Sequence, residues 1–331
     1  MGESMNGIVV REEMEGRPLE WASVPRPEIG PGEVLIRAHA TAVNRADLVQ
    51  RRGMYAPPPG ASKLLGLEVA GVVEAVGAEV TGHEVGDEVC ALLTGGGYAE
   101  YVACPQETLL PIPEGLSMVE AAALPEVACT AWVNLFMEAE AREGDVVMIH
   151  AAASGVGTAA VQMCKARGLT VVATAGDSKR EYLESIGADL VVGRHSEDFV
   201  ERVQEVYGGV DVILCPVGAD YLERNLCVLN TKGRMVLIGL MGGRAAEINL
   251  GRLLVKRHRL IGSVLRARPL DEKRGIIAQV LANVWPMIAD GELSPVVHEV
   301  LSLEEAERAH ALVASNTTIG KVVMTTSAYN A

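Results

Sequence analysis

The chain has 331 residues, enough for two domains with complete cores, and a formal net charge of −14. That acidity argues against nucleic-acid binding and against anionic membrane surfaces, both of which need basic patches. No apolar run reaches the ~18–20 residues that cross a bilayer.

The opening MGESMNGIVV has no basic segment followed by an apolar one, so no secretory leader is expected, and Met5 is an alternative first residue. GIVVRE and LEWASV read as a first strand pair, and the Pro/Gly cluster at 25–32 as a turn. Glu33 to Val43 alternates apolar and polar residues, as a half-buried strand does. Asn44 to Arg52 is a short helix candidate. MYAPPPGASK is a stiff, extended proline loop. GLEVAGVVEAVGAEV, GDEVCALL and YAEYVAC carry glycine turns between short β-rich runs. This half predicts a small, strongly coiled antiparallel β domain. A helical connector is expected over 116–137, broken at Pro125.

From Asp145 the rhythm becomes strand, helix, strand. Strands are expected at 146–150, 169–175, 189–193, 210–217, 233–240 and 258–265, with helices between them. With two Phe and three Trp among abundant Val and Ala, these runs suit a doubly wound parallel sheet, whose strands are buried on both faces. A long helix after Pro269, a strand (VVHEVL), the helix SLEEAERAHALVAS and a last strand (GKVVMTT) read as a return to the first domain. The six cysteines, Cys90, Cys104, Cys129, Cys164, Cys215 and Cys227, form no CxxC pair and have no histidine at ligand spacing. They read as small buried hydrophobes in a reducing cytoplasm, with no metal site.

The stretch DVVMIHAAASGVGTAAVQMCKARG organises the second half. A buried strand runs into Ser154-Gly155-Val156-Gly157 and then a helix, the arrangement that places backbone N–H groups and a helix dipole against a dinucleotide pyrophosphate. Ala160 replaces the third glycine of the usual fingerprint. An NAD site carries an acid at the tip of the second strand. Here that strand ends Thr174-Ala175-Gly176, which leaves room for a 2′-phosphate, with Lys179 and Arg180 following and Arg194 after the third strand. NADPH is the expected cofactor. Asp177 is the contrary feature, and a solvated helix face is the other reading of Lys179 and Arg180.

The segment VNRADLVQRRGMYAPPPGASKLLGLEVAGVV, the loop HAAASGVG and the run GLMGG (Gly239 to Gly243) resemble the zinc-independent quinone oxidoreductase branch of the medium-chain dehydrogenase/reductases. The similarity runs over about residues 5–325 and is nearest to the p53-inducible, zeta-crystallin-like type. It implies a GroES-like domain over 1–126 and 268–331, a Rossmann NADPH-binding domain over 127–267, and a substrate cleft between them. It also implies quinone reduction by NADPH, often one electron at a time, in a cytoplasmic homodimer joined near 258–265. The family's cofactor contacts would fall on Asn44, Thr130, Ser154, Gly155, Val156, Lys179, Gly218, Met241, Leu265 and Lys321; the residues themselves add Gly157, Gly176, Gly239 and Arg194, the last standing where the family often has Tyr and adding a charge that suits NADPH. The related zinc enzymes have Cys, His and Cys where this chain has Asn44, Leu67 and Glu126, so no metal ligand set remains. Glu68 then reads as a buried structural carboxylate.

Without zinc nothing strongly polarises a ketone. The acceptor must already be electrophilic, a quinone or an activated enone, and the protein's work is to orient it. Tyr55, in the proline loop at the cleft mouth that the resemblance implies, would stack on the acceptor or donate to its carbonyl; its other reading is an anchor for the loop. Asn44 would hold the nicotinamide ribose or a quinone oxygen; its other reading is a helix N-cap through its side-chain oxygen. Asp47 completes that helix start and is a third catalytic candidate. His150 reads as a packed residue. The expected function is therefore an NADPH-dependent quinone reductase. The alternatives are an enoyl or enone reductase and a non-catalytic NADPH-binding protein.

Overall fold

The computed structural model describes residues 3–330. Met1, Gly2 and Ala331, which the expected boundaries of the first domain include, lie outside them. The chain divides into two compact units, one formed by Met1–Val127, Leu265–Trp285 and Pro295–Ala331, the other by Ala128–Val264 and Pro286–Ser294.

The first unit opens with β1 (Ser4–Val10) and β2 (Leu19–Pro25), paired antiparallel. Then come β3 (Glu33–Ala42), α1 (Arg45–Arg51), β4 (Glu68–Val76), β5 (Glu88–Leu92), β6 (Tyr101–Pro105) and β7 (Leu109–Pro111). In β3, Val34, Ile36, Ala38, Ala40 and Ala42 have no exposed surface, the inward set of a period-two strand. Register shifts between β3 and β4 at Leu35/Ile36 and Ala38/Ala40 bend the pair, which gives the sheet its coil.

The connector is α2 (Met118–Ala121) followed by α3 (Pro125–Trp132). The connector is interrupted at 122–124 and Pro125 marks the break, as the sequence suggested: it opens the second helix, where its missing N–H costs nothing. A π-helical turn follows at Val133–Glu138, with Ala139 N–H donating to Asn134 O five residues back. The Asn134 side chain donates to Thr130 O at 2.7 Å, taking the carbonyl that the regular ladder would use.

The second unit alternates β8 (Val146–His150), α4 (Gly155–Ala166), β9 (Thr170–Ala175), α5 (Arg180–Ser185), β10 (Leu190–Gly193), α6 (Phe199–Tyr207), β11 (Val210–Cys215), α7 (Ala219–Val228), β12 (Leu229–Leu237), α8 (Leu250–Lys256) and β13 (Arg259–Gly262). The strands form one parallel sheet in the order β10-β9-β8-β11-β12-β13. This is the doubly wound order that switches direction at its first strand, β8. β12 starts four residues before the expected Gly233, because a register shift lets Leu229 pair with Val210. Val147, Met148 and Ile149 are wholly buried, as two-sided burial demands. A Cβ on Gly157 would stand 2.4 Å from Ala152 O, so glycine is what lets α4 lie so close to the end of β8.

The chain finishes with α9 (Leu270–Ala289), β14 (Val297–Ser302), α10 (Ala306–Ser315) and β15 (Lys321–Thr325). β14 and β15 extend the first sheet to the order β14-β15-β3-β4-β5-β7, with β6 also on β3. They return as the sequence suggested, but pair parallel with each other because α10 crosses between them. The segment Pro286–Ser294 sits with the second unit, where Gln162 Nε2 donates to Ser294 O and Ser294 N–H to Gln162 Oε1, at 3.1 and 2.9 Å. The expected boundaries assigned it to the first. Gly157→Ala is expected to destabilise the second unit by about 1–3 kcal/mol through overpacking. Thermal unfolding should show the loss, and an unchanged Tm would contradict it.

Candidate active site

In the first unit, three polar side chains close directly on one another. The Lys321 ammonium, 4% exposed, donates to Val43 O at 2.9 Å and Asn44 Oδ1 at 2.6 Å, and pairs with Glu68 Oε1 at 2.7 Å. Glu68 also accepts from Asn44 Nδ2 at 2.8 Å, and its Oε2 accepts from Glu126 N–H at 3.0 Å. The three ammonium protons are thus all met inside the cluster. Asn44 stands at the N-cap of α1, in a capping box with Asp47, and its side-chain oxygen also accepts from Lys321.

Asp47 has no exposed surface. Its Oδ2 accepts from Asn44 N–H at 2.8 Å and from the Tyr98 hydroxyl at 3.2 Å, and its Oδ1 accepts from Gly66 N–H at 3.0 Å. It holds the backbone around Asn44 through these three bonds. Burial pushes its carboxyl up from 3.8 to about 6 against these hydrogen bonds. Tyr98 O stands 3.1 Å from His310 Nε2. Since the tyrosine proton goes to Asp47, His310 carries its proton on Nε2. Burial pushes its pKa down to about 3, so it stays neutral.

The three positions aligned with zinc ligands do not fit a metal. Asn44 is tied to Glu68 and Lys321, Leu67 has no donor, and the nearby ammonium already balances the Glu68 charge. Among the described residues no three His, Cys, Asp or Glu side chains stand close enough to share an ion. Tyr55 is half-buried, with its ring centroid 5.3 Å from the guanidinium carbon of Arg266, a cation–π contact. Burial, then Glu126, raises its hydroxyl pKa.

In the second unit the glycine turn fits a dinucleotide. Ser154 caps α4, its Oγ accepting from Gly157 N–H at 3.1 Å, and its carbonyl accepts from Thr158 N–H at 2.8 Å. The first-turn amides of Gly155 and Val156 are those that a helix leaves for a phosphate. At the tip of β9 lie Ala175 and Gly176. Asp177 is hydrogen-bonded by the Ser196 hydroxyl, which lowers its pKa, so it faces the loop after β10. Arg180 is spent on Val191 O and Glu197, a structural tie. Burial, with the Arg194 charge nearby, lowers the Lys179 pKa; two cations converge at the tip. Arg194 is exposed and donates to His195 Nε2 at 2.9 Å.

The loops after β11 and β12 are laced together. Met241 N–H donates to Pro216 O, Gly242 N–H to Val217 O and Ala219 N–H to Gly243 O, at 3.2, 2.7 and 3.2 Å. Gly218, at φ +87°, and Gly239 let them approach, and Met241 is left exposed. Thr130 lies on α3 in this unit, whereas Asn44, Leu265 and Lys321 belong to the first. His150 is packed, as expected: Nε2–H donates to Asn225 Oδ1 at 2.7 Å, and Nδ1 accepts from the Thr174 hydroxyl at 2.8 Å. Sequence reasoning missed Arg266, whose one signal was a charge inside an apolar run, SVLRARPL; Glu68 is the buried structural carboxylate that was expected.

A polar site on a coiled sheet unit, joined to a doubly wound unit with a phosphate-ready turn, defines a nicotinamide-dependent oxidoreductase fold. Residues 30–114 match the family "Alcohol dehydrogenase GroES-like domain", and residues 155–282 match "Zinc-binding dehydrogenase". The quinone oxidoreductase of Mus musculus is 34% identical over 294 residues, 87% of this chain and 86% of that one. The quinone oxidoreductase of Thermus thermophilus, also solved with NADPH, is 35% identical with a TM-score of 0.82, covering 97% of this chain and 100% of its own. The CurK enoyl reductase structure is 30% identical with a TM-score of 0.84, covering 97% and 99%. The chain belongs to the medium-chain dehydrogenase/reductase superfamily, in its quinone oxidoreductase branch.

Lys321→Met is expected to destabilise the fold by about 3–5 kcal/mol, because Glu68 is left as an unpaired buried charge. The double variant with Glu68→Gln should recover most of that in urea unfolding, and a double variant as unstable as the single would contradict the pairing. Asp47 holds its proton to higher pH when folded than near 3.8 unfolded, so its contribution to stability falls as the pH rises from about 4 to about 6. Carboxyl-carbon NMR, assigned with Asp47→Asn, should show one aspartate titrating near 6; a midpoint near the ordinary 3.8 contradicts it.

Proposed function

We propose that the chain is a zinc-independent, NADPH-dependent quinone reductase. The observation that carries this reading is the pair of cations, Lys179 and Arg194, at an acid-free strand tip in a chain of the quinone oxidoreductase branch. A 2′-phosphate dianion answers both their mutual repulsion and the room left by Ala175 and Gly176. Ser154 to Gly157 would hold the pyrophosphate at the start of α4, and Gly218, Gly239 and Met241 would line the nicotinamide half. The Asn44 amide, held by its bond from Lys321, would meet a ribose hydroxyl. In this reading Asn44 binds, while Lys321, Glu68 and Asp47 position it.

Bound NADPH supplies reducing equivalents. The protein's residues orient the acceptor, and the positions Asn44, Leu67 and Glu126 do not fit a metal, which favours an acceptor already prone to reduction, a quinone. A second reading, enoyl or enone reduction, is favoured by the likeness to the CurK enoyl reductase. A third, NADPH binding without catalysis, is the outcome if neither acceptor turns over. Six free cysteines, five of them buried, support a reducing cytoplasmic setting. Leu250, Leu254, Val255 and Val264, each more than half exposed around the edge strand β13, support a homodimer through that edge.

Steady NADPH oxidation with 1,2-naphthoquinone, and little with a 2-enoyl thioester, is the expected result. Oxidation with neither, despite NADPH binding, would sink the enzyme reading. Lys179→Ala with Arg194→Ala should weaken NADPH roughly tenfold or more, at about 1.5–3 kcal/mol per charged hydrogen bond, and leave NADH unchanged. An unaltered NADPH to NADH ratio removes both residues from the phosphate site.

A further inference from the structure

Arg266 is 3% exposed, and only one part of its guanidinium is satisfied. Nε donates to Thr94 O at 2.7 Å. Both Nη1 and Nη2 are buried with no hydrogen-bond partner. Lys273, 5% exposed, donates from Nζ to Arg266 O at 2.7 Å, which fixes the backbone and adds a second cation. Gly95 lies on one side, where a Cβ would stand 3.4 Å from Nη2. The Tyr55 ring lies on another, 5.3 Å from the guanidinium carbon. Tyr55 sits in the proline loop, whose neighbours Met54 and Ala56 are exposed.

A cation stripped of water with two unpaired nitrogens costs several kcal/mol, and native chains rarely leave such donors without an acceptor. The acceptor that fits must be an oxygen able to carry negative charge, attached to a flat apolar body that can lie against an aromatic ring. A conjugated carbonyl compound has this shape and acquires this charge. When a hydride, two electrons and one proton, passes from a reduced nicotinamide to the conjugated system, the nicotinamide is oxidised and the charge appears on the acceptor's oxygen. A proton from water then neutralises it. Donors aimed in advance at that oxygen act more strongly in its charged form than in the ground state.

The geometry points to Arg266 as the residue that receives the acceptor's carbonyl oxygen through Nη1 and Nη2, with the Tyr55 ring packed against the acceptor's ring. This rests on the reading of the chain as a reductase of conjugated carbonyls. It assigns the oxygen to a cation that neither the glycine turn nor the Asn44 cluster contains.

The test uses cofactor-free protein and 2-hydroxy-1,4-naphthoquinone, a coloured acid whose anion mimics the charged oxygen, followed by absorbance titration and calorimetry. The wild type should bind the anion and lower the apparent pKa of its hydroxyl. Arg266→Met should weaken binding by about tenfold or more and abolish that spectral shift, Arg266→Lys should restore part of it, and Tyr55→Phe should retain it where Tyr55→Ala does not. Melting curves establish that each variant is folded; if Arg266→Met is not, Arg266→Gln with the same titration decides. A folded variant without the guanidinium that binds the anion as tightly as wild type overturns the assignment. The two readings fail separately. Anion binding through Arg266 without turnover of any quinone or enone removes the reductase and keeps the site. Quinone turnover with kcat/KM unchanged in Arg266→Met keeps the reductase and removes the site.

Discussion

One buried ammonium sets the geometry of the first unit. Lys321 comes from the last strand of the chain, yet its acceptors are Val43, Asn44 and Glu68, and Glu68 in turn takes the N–H of Glu126 at the start of α3. Four distant parts of the sequence are thereby pinned to one point. Such a pair is no guarantee of net stability, because both charges leave water to form it. What it supplies is direction: each donor has one acceptor, so the loop bearing Asn44 has one conformation. Asp47, Gly66, Tyr98 and His310 continue the hydrogen-bonded chain from Asn44. The group best placed to meet a ligand there, the Asn44 amide, is held by residues that never need to touch it.

The two ends of the proposed reaction use cations in opposite ways. Arg180 is consumed by Val191 O and Glu197 and serves the fold. Lys179 and Arg194 stand close to each other, and Arg266 keeps two nitrogens unpaired. In a chain of net charge −14, an anionic cofactor meets general repulsion, so locally concentrated positive charge is what admits it. On the proposed function, the buried unpaired donors of Arg266 are costly on their own, and binding would recover that cost.

Much of the second unit was legible because its signals are local. Val146 to Ile149, the SGVG turn and the later apolar runs each announce a strand or a phosphate-ready helix start through side chains next to one another. The packed role of His150 could be read the same way. The first unit was legible in outline only. Glu68 and Lys321 find each other across most of the chain, Asn44 joins that pair as well as its own helix start, and β14 runs parallel to β15 because a helix lies between them. Nothing adjacent in sequence encodes those choices; they follow from which strands topology makes neighbours. Asp177 looked like a ribose-binding acid by spacing, but Ser196 from the next loop had already claimed it.

The placement of β15 has a consequence for how the polypeptide comes off the ribosome. Lys321 and the Val43 carbonyl it binds are 278 residues apart, so the C-terminal end of β3 waits for nearly the whole chain to be translated. At ordinary elongation rates that delay is on the order of tens of seconds. During it, β3 has one open edge and Glu68 no counter-ion. The second unit, uninterrupted from Ala128 to Val264, has all six of its strands available well before then. The nascent chain thus exposes the unpaired edge of Ala40, Thr41 and Ala42 at the end of β3, and a chaperone that shields such edges is the cellular factor on which its yield would depend.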